Sequence, residues 1–132
     1  MHPTTNQTVL VVDDDDEIRH LVRGVLDREG YRVLDTGDGD DAIRMAEADR
    51  PALVLLDLSM PGRDGLSVAS ELRNRGGKNA PLVVALSARH LPSDREKALA
   101  AGCSLFLAKP CPPSRLRQTV ATLLAQDPQI GS

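Results

Sequence analysis

Residues 8–22 read TVLVVDDDDEIRHLV, an apolar run followed by four aspartates and then by a second group of apolar residues. The apolar run from Val9 to Val12 is typical of a short strand that is buried on both faces of a parallel sheet. From Ile18 onward the apolar residues recur at helical spacing, and Gly30 lies where that helix is expected to end. A strand that leads at once into a helix indicates an α/β fold.

Four further strand and helix pairs follow along the chain, with turn residues between them. We expect Ser93 to cap one of these helices and Gly102 to end it. Repeated strand and helix pairs imply a parallel sheet with right-handed crossovers and helices on both faces. The strands are expected at residues 31–36, 52–57, 81–87 and 104–108, and the helices at 42–48, 66–72, 93–102 and 114–125.

Length and charge restrict the kind of protein. The chain of 132 residues has the length of one domain, and we expect a core of about residues 8–125 between short flexible tails. The net charge of −3 offers no basic surface, so we expect no direct contact with nucleic acid or membrane. The start, MHPTTNQ, has no signal-peptide features, so a cytoplasmic protein is expected.

Polar side chains lie at the ends of four predicted strands. Asp13 and Asp14 follow the first strand, Asp57 ends the third, Ser87 ends the fourth and Lys109 follows the fifth. In an open parallel sheet the functional crevice lies outside the carboxyl ends of the strands, so these side chains are expected to converge. Carboxylates brought together repel one another, but a hard divalent cation such as Mg²⁺ turns that repulsion into a binding site.

Such a site does not need all four carboxylates of the acidic run. We expect Asp15 and Asp16 to cap the first helix and to interact favourably with its N-terminus. Each contribution is about 0.3 to 1 kcal/mol.

Four motifs in this order resemble the receiver domains of two-component response regulators, of the chemotaxis-regulator kind. LVVDDD (10–15) is similar to the family's acidic pair, and LVLLDLSMPGRDG (53–65) to its phosphoacceptor segment. ALSA (85–88) resembles its hydroxyl-bearing fourth strand, and LFLAKP (105–110) its aromatic and Lys-Pro ending. The resemblance implies a flavodoxin-like doubly wound (βα)5 fold with a five-stranded parallel sheet in the order 2-1-3-4-5.

The resemblance also implies a metal site and an acceptor. Asp57 would be the phosphoacceptor and, together with Asp14, a ligand of Mg²⁺. Asp13 would hold a water molecule on the metal, and the backbone carbonyl of Ser59 would complete the protein ligands.

Further roles follow from the same resemblance. Ser87 would bond a phosphoryl oxygen, and Lys109 would pair with the phosphate. The bond from Lys109 to Pro110 would be cis, which would swing the lysine back over the strand ends. Phe106 is either a switch residue that changes rotamer on phosphorylation or an ordinary core residue, and the sequence leaves both open.

As a receiver domain, the chain would be phosphorylated by a sensor histidine kinase or a histidine phosphotransfer protein. It would act on a downstream protein or output domain through the face of the fourth helix, fifth strand and fifth helix. It would not be an enzyme beyond self-phosphorylation from small donors and self-dephosphorylation. It would be a stand-alone regulator or a receiver that belongs to a longer protein.

Two other classes of protein remain as alternatives. An Mg²⁺-dependent phosphohydrolase would also use an Asp nucleophile, but it commonly needs a second acid two residues later, where Ser59 stands. A flavodoxin-like binding module would share the fold. Its phosphate loop should offer hydroxyl and backbone donors after the first strand, where this chain has carboxylates.

Overall fold

The computed structural model describes residues 7–60, 62, 64–89 and 91–126, so most of both expected tails lies outside it. In these ranges strands and helices alternate as the sequence predicts, and no helix has the length and apolar character to cross a bilayer. The strands are β1 (Thr8–Val12), β2 (Arg32–Thr36), β3 (Leu53–Asp57), β4 (Leu82–Ser87) and β5 (Leu105–Ala108). The helices are α1 (Asp16–Arg28), α2 (Gly39–Asp49), α3 (Gly65–Gly76), a 3₁₀ turn (Gly77–Asn79), α4 (Pro92–Ala100) and α5 (Pro113–Gln126).

The five strands form one parallel sheet in the order β2-β1-β3-β4-β5, which confirms the order that the resemblance implies. Val12 of β1 lies beside Leu56 of β3, so the next residues, Asp13 and Asp57, are neighbours at the end of the sheet. The end of β5 is aligned with the end of β4 at Ser87. The register therefore collects the strand-end residues at one edge.

Helices cover both faces of the sheet because successive strand residues point to opposite sides. Leu10 and Val12 of β1 pack in a core cluster with residues of α2, α3 and α4. Val9 and Val11 pack in a second cluster with residues of α1 and α5. Burial on both faces explains why the strands are continuous apolar runs. The fold is thus the flavodoxin-like doubly wound (βα)5 architecture.

Helix α1 begins and ends where the sequence predicts. The carboxylate of Asp15 accepts hydrogen bonds from the amides of Glu17 at 3.0 Å and Ile18 at 3.2 Å, so Asp15 is the N-cap. Asp16 lies in the first turn. The chain leaves the helix at Gly30 with a φ of 92°, a left-handed conformation that glycine adopts without steric cost.

Helix α2 begins at Gly39, three residues before the predicted start at Ala42. The reason is a cap in the segment GDGDD, which we predicted to be a turn. The Asp38 carboxylate accepts a 3.0 Å hydrogen bond from the Asp41 amide and satisfies one of the free donors of the first helical turn.

Helix α4 begins at Pro92, so the prediction that Ser93 caps it is wrong. The carboxylate of Asp94 accepts a 3.1 Å hydrogen bond from the amide of Leu91, which precedes the helix. Proline is favourable in the first helical position because it has no amide hydrogen that would need a partner there.

Candidate functional site

Four strand ends bring Asp13, Asp57, Ser87 and Lys109 together at the carboxyl edge of the sheet. Asp13 follows β1, Asp57 ends β3, Ser87 ends β4 and Lys109 follows β5. The exposed fraction is only 1% for Asp13 and 3% for Asp57, which makes both carboxylates buried. A charge buried in this way is costly unless it has partners, so the contacts of these two side chains decide the chemistry of the site.

Lys109 places a cation between the two buried carboxylates. Its Nζ donates a 2.8 Å hydrogen bond to Oδ2 of Asp13 and lies 3.3 Å from Oδ2 of Asp57. The peptide bond from Lys109 to Pro110 is cis, as the resemblance implies. Burial alone would lower the pKa of Lys109, but the hydrogen bond and charge of Asp13 and the charge of Asp57 outweigh it, and the pKa is raised.

Asp13 is fixed through its backbone as well as its side chain. Its amide donates a 3.1 Å hydrogen bond to the carbonyl of Thr36 in β2. Its Oδ1 accepts a 2.9 Å hydrogen bond from the amide of Asp15, while Oδ2 accepts from Lys109. The neighbouring Asp14 is exposed to solvent.

Asp57 is a buried carboxylate with a different partner on each oxygen. Oδ1 accepts a 2.9 Å hydrogen bond from the amide of Ser59, and Oδ2 faces Lys109. Burial raises the pKa of Asp57 and the charge of Asp13 adds to the rise, while the Ser59 hydrogen bond and the Lys109 charge offset part of it. The fold thus disfavours the anion, and additional positive charge near Asp57 would stabilise it.

Asp13, Asp14 and Asp57 offer carboxylate oxygens that lie within 4.8 Å of one another. Asp14 is the exposed member of the group, so the cluster is open to solvent on one side. Two of these carboxylates pair with the ammonium group of Lys109, so the described residues of the cluster keep an excess of negative charge. Because oxygen donors are the ligands that Mg²⁺ prefers in proteins, the donor set fits magnesium.

Ser87 lies beside this cluster in a cleft of about 430 Å³. Its Oγ accepts a 3.0 Å hydrogen bond from the amide of Arg89. Ser59 lines the same cleft, so the cleft adjoins the turn after Asp57. The lining residues are Leu58, Ser59, Met60, Asp64, Leu66, Ser87, Arg89, Asp94 and Lys97.

Phe106 belongs to the core. Only 8% of it is exposed, and it packs in the cluster on the face of α2, α3 and α4. In the sheet it lies beside Ala85, two residues before Ser87. Phe106 is thus a core residue in this structure, and its role as a switch stays a prediction.

Helix α3 begins directly against the turn that follows β3. A Cβ added at Gly65 would lie 2.6 Å from the Cα of Leu58 and 3.1 Å from the carbonyl oxygen of Asp57. Backbone atoms at that distance cannot move aside as the end of a flexible side chain can. The close approach of α3 to this turn therefore requires glycine.

Arg19 of α1 also contacts the site, although its position in the sequence gives no sign of this role. Its Nη1 donates a 2.8 Å hydrogen bond to the backbone carbonyl of Asp13, and its Nε donates to Oδ1 of Asp35 at 3.2 Å. Its Nη2 donates to Oδ1 of Asp16 at 2.6 Å, and this bond is the largest cause of the raised pKa of Arg19. The i, i+3 spacing to Asp16 is visible in the sequence, but the other two contacts arise only in the folded chain.

Comparison with known proteins agrees with the resemblance in the motifs. A family model described as the response regulator receiver domain matches residues 9–121. The transcriptional regulatory protein ResD of Bacillus subtilis (strain 168) is 36% identical over 128 residues, which cover 96% of this chain and 52% of ResD. The chain thus spans about half the length of this relative.

Solved structures share the fold. Chemotaxis protein CheY4 of Vibrio cholerae has a TM-score of 0.84 and 27% identity, covering 89% of this chain and 98% of that chain. The receiver domain of sensor histidine kinase PA1611 from Pseudomonas aeruginosa PAO1 has a TM-score of 0.83 and 32% identity, covering 92% of this chain and 100% of that chain. That domain has a magnesium ion coordinated in its active site cleft.

These matches do not favour the phosphohydrolase or the flavodoxin-like binding module. Receiver domains are phosphoacceptors rather than classical enzymes, and they interact with histidine kinases or phosphotransfer proteins. The match over residues 9–121, the parallel sheet and the acidic cluster at its carboxyl edge are all accounted for by a receiver domain. The chain belongs to the family of response regulator receiver domains, the phosphoacceptor domains of two-component signal transduction.

Proposed function

We propose that this chain accepts a phosphoryl group on Asp57 from a sensor histidine kinase or a histidine phosphotransfer protein. One observation carries the proposal. The buried Asp57 carboxylate lies 3.3 Å from the Lys109 ammonium and within 4.8 Å of carboxylate oxygens of Asp13 and Asp14. A nucleophilic carboxylate beside a cation and a set of metal ligands is suited to phosphoryl transfer, where charge stabilisation and positioning supply most of the catalysis.

The metal would be Mg²⁺, held by Asp14, Asp57 and the backbone carbonyl of Ser59, with Asp13 holding one of its waters. The contacts of the two neighbouring aspartates support the difference in role between Asp13 and Asp14. Both oxygens of Asp13 already accept hydrogen bonds, from a backbone amide and from Lys109, whereas Asp14 is exposed. When bound, Mg²⁺ offsets negative charge on the phosphoryl oxygens.

In the transfer, a carboxylate oxygen of Asp57 forms a bond to phosphorus while the bond from phosphorus to the donor breaks. The donor leaves with the bonding electron pair, as acetate from acetyl phosphate or as an imidazole that takes a proton from solvent. Lys109 would exchange its contact with Asp13 for one with a phosphoryl oxygen. Ser87 would donate its hydroxyl hydrogen to another phosphoryl oxygen. Self-phosphorylation from small donors and self-dephosphorylation by water would use the same groups.

The output would be a change in the face formed by α4, β5 and α5. Leu91, which precedes α4, and Leu99 within α4 are 61% and 43% exposed, so apolar side chains at α4 could contact a partner. If Ser87 moves toward the phosphoryl group, it vacates space beneath the loop that leads into α4. Phe106 on the adjacent strand would then turn, and a downstream protein or output domain would bind the altered face.

The region of about residues 8–125 would act as a single receiver domain in the cytoplasm, either alone or as part of a longer protein. Its net charge of −3 supports protein partners rather than direct contact with nucleic acid or a membrane surface.

Intact-mass analysis after incubation with acetyl phosphate and Mg²⁺ tests the acceptor. The wild type should gain one phosphoryl group, and EDTA should prevent the gain. Asp57→Asn should gain none. Asp15→Asn is the matched control, because asparagine also caps helices and Asp15 is not a proposed ligand. Labelling of Asp57→Asn at the wild-type rate, or undiminished labelling in EDTA, contradicts the proposal.

A further inference from the structure

We propose that Arg19 is a positioning residue for the magnesium site, which it supports through the backbone of Asp13. The inference rests on the proposed function of that site. Nη1 of Arg19 donates a 2.8 Å hydrogen bond to the carbonyl oxygen of Asp13. This carbonyl belongs to the planar peptide unit that joins Asp13 to Asp14. The contact therefore sets the orientation of the peptide between two carboxylates of the site.

Arg19 is itself held firmly. Its Nε donates to Asp35 at 3.2 Å and its Nη2 donates to Asp16 at 2.6 Å, while only 15% of its side chain is exposed. A planar guanidinium that two carboxylates hold in place is a rigid support for its third partner, the Asp13 carbonyl.

The turn after β2 leaves space for this contact. A Cβ added at Gly37 would lie 3.1 Å from Nη1 of Arg19 and 3.5 Å from the carbonyl oxygen of Asp13. A side chain at this position would therefore crowd the same hydrogen bond. Helix α1 thus provides the guanidinium, and Gly37 in the turn between β2 and α2 leaves space for it. Both segments contribute to the hydrogen bond between Arg19 and the Asp13 carbonyl.

The positive charge of Arg19, taken alone, would lower the affinity for Mg²⁺, whereas the positioning of Asp13 would raise it. A nearby cation repels Mg²⁺, so removing the arginine would strengthen binding if charge were its main influence. Asp16 and Asp35 already pair with Arg19 and offset its charge. We therefore expect the loss of positioning to dominate, and the sign of the change in affinity distinguishes the two effects.

Titration of ¹⁵N-labelled protein with MgCl₂, followed through the amide shifts of Asp14 and Asp57, measures the dissociation constant directly. Arg19→Gln should weaken Mg²⁺ binding by about tenfold, the lower end of the effect of removing a group that orients a metal ligand. Arg19→Lys keeps the charge but cannot reach three acceptors, so it should weaken binding as well. Gly37→Ala should act in the same direction to a smaller extent.

Arg23→Gln is the matched control. Arg23 also pairs with Asp35, but its contacts are with Asp27 and Asp35 and not with the Asp13 backbone. This variant should bind Mg²⁺ as the wild type does. Urea unfolding of each variant in EDTA records any loss of stability separately from the affinity of the folded protein.

Unchanged or tighter Mg²⁺ binding by Arg19→Gln would overturn the inference, and so would equal weakening by Arg23→Gln. If Arg19→Gln does not fold, Arg19→Lys and Gly37→Ala decide in its place. Failure of the proposed function looks different, because the wild type itself would then give no saturable shifts at Asp14 and Asp57.

Discussion

Nζ of Lys109 donates a 2.8 Å hydrogen bond to Oδ2 of Asp13, a residue 96 positions earlier in the chain. Its distance to Oδ2 of Asp57 is longer, at 3.3 Å. The lysine thus pairs mainly with a proposed metal-site carboxylate while it remains beside the proposed acceptor. A small movement of the ammonium group would be enough to transfer its contact to a phosphoryl oxygen on Asp57.

Lys109→Gln should lower the free energy of unfolding in metal-free buffer by about 1 to 3 kcal/mol, because it leaves buried carboxylates without their cation. Urea unfolding followed by circular dichroism measures the change. Adding Asp13→Asn should restore part of the loss, since one of the buried charges is then absent. An unchanged urea midpoint for Lys109→Gln would mean that the ion pair does not stabilise the fold.

Asp57→Asn should have the opposite effect on stability. Burial raises the pKa of Asp57, which means that the fold disfavours its anion, and asparagine keeps the shape of the side chain without the charge. In EDTA at neutral pH the urea midpoint of Asp57→Asn should exceed that of the wild type. Mg²⁺ should then raise the midpoint of the wild type more than that of the variant. Equal midpoints in EDTA would contradict this account.

Ser87→Ala should separate phosphorylation from its distant effects. The variant keeps Asp57 and Lys109, so it should still gain a phosphoryl group from acetyl phosphate. With beryllofluoride as a phosphoryl mimic, wild-type NMR spectra should show shift changes at Phe106 and along residues 94–101. These changes should shrink in Ser87→Ala. Full persistence of the distant shifts would indicate that Ser87 is not the group that transmits the signal.

Cys103 provides a test of pH dependence away from the site. Burial raises the pKa of its thiol from 9.0 to about 11. Because the folded value is the higher one, the stability that the neutral thiol contributes is fully present below pH 9 and is lost as the pH rises toward about 11. The difference in unfolding free energy between the wild type and Cys103→Ala should change across this range in favour of the variant.

The matched control for that experiment is Cys111→Ala, since Cys111 is only partly buried. Its pKa is also raised by burial, but the charge of Arg115 lowers it in part. The corresponding pH dependence should therefore be smaller. A thiol reagent at pH 8 should likewise modify Cys111 well before Cys103. The reverse order would show that Cys103 is more accessible in solution than it is in the structure.

The order of strands and helices was predictable from the sequence because strands buried on both faces read as unbroken apolar runs. Strand order was not, because local pattern does not encode which strands are neighbours, and it came from the resemblance. The starts of α2 and α4 were misjudged for a chemical reason. Residues that are favoured at helix caps are also common elsewhere: Asp38 stands in a segment rich in turn residues, and Ser93, a favoured cap residue, lies inside α4 after Pro92.

For the site, strand-end position alone predicted that Asp13, Asp57, Ser87 and Lys109 would converge. It could not predict that Lys109 lies closer to Asp13 than to Asp57, since that preference depends on side-chain torsions and on local hydrogen bonds. Arg19 was missed because two of its three partners are brought to it only by the packing of α1 against β2 and by the turn after β1.

Gly24 and Gly65 look alike in the sequence, as glycines of helices, but their surroundings give them opposite tolerance to substitution. A Cβ at Gly24 meets nothing within 4 Å, and alanine there should stabilise α1 by up to about 1 kcal/mol because of its higher helix propensity. At Gly65 a Cβ would overlap the backbone of Leu58, which leads directly from Asp57. In a library of all single substitutions scored for both abundance and signalling, substitutions at position 65 should affect Asp57 by steric displacement alone. Every polar group of the pocket is still present in these variants.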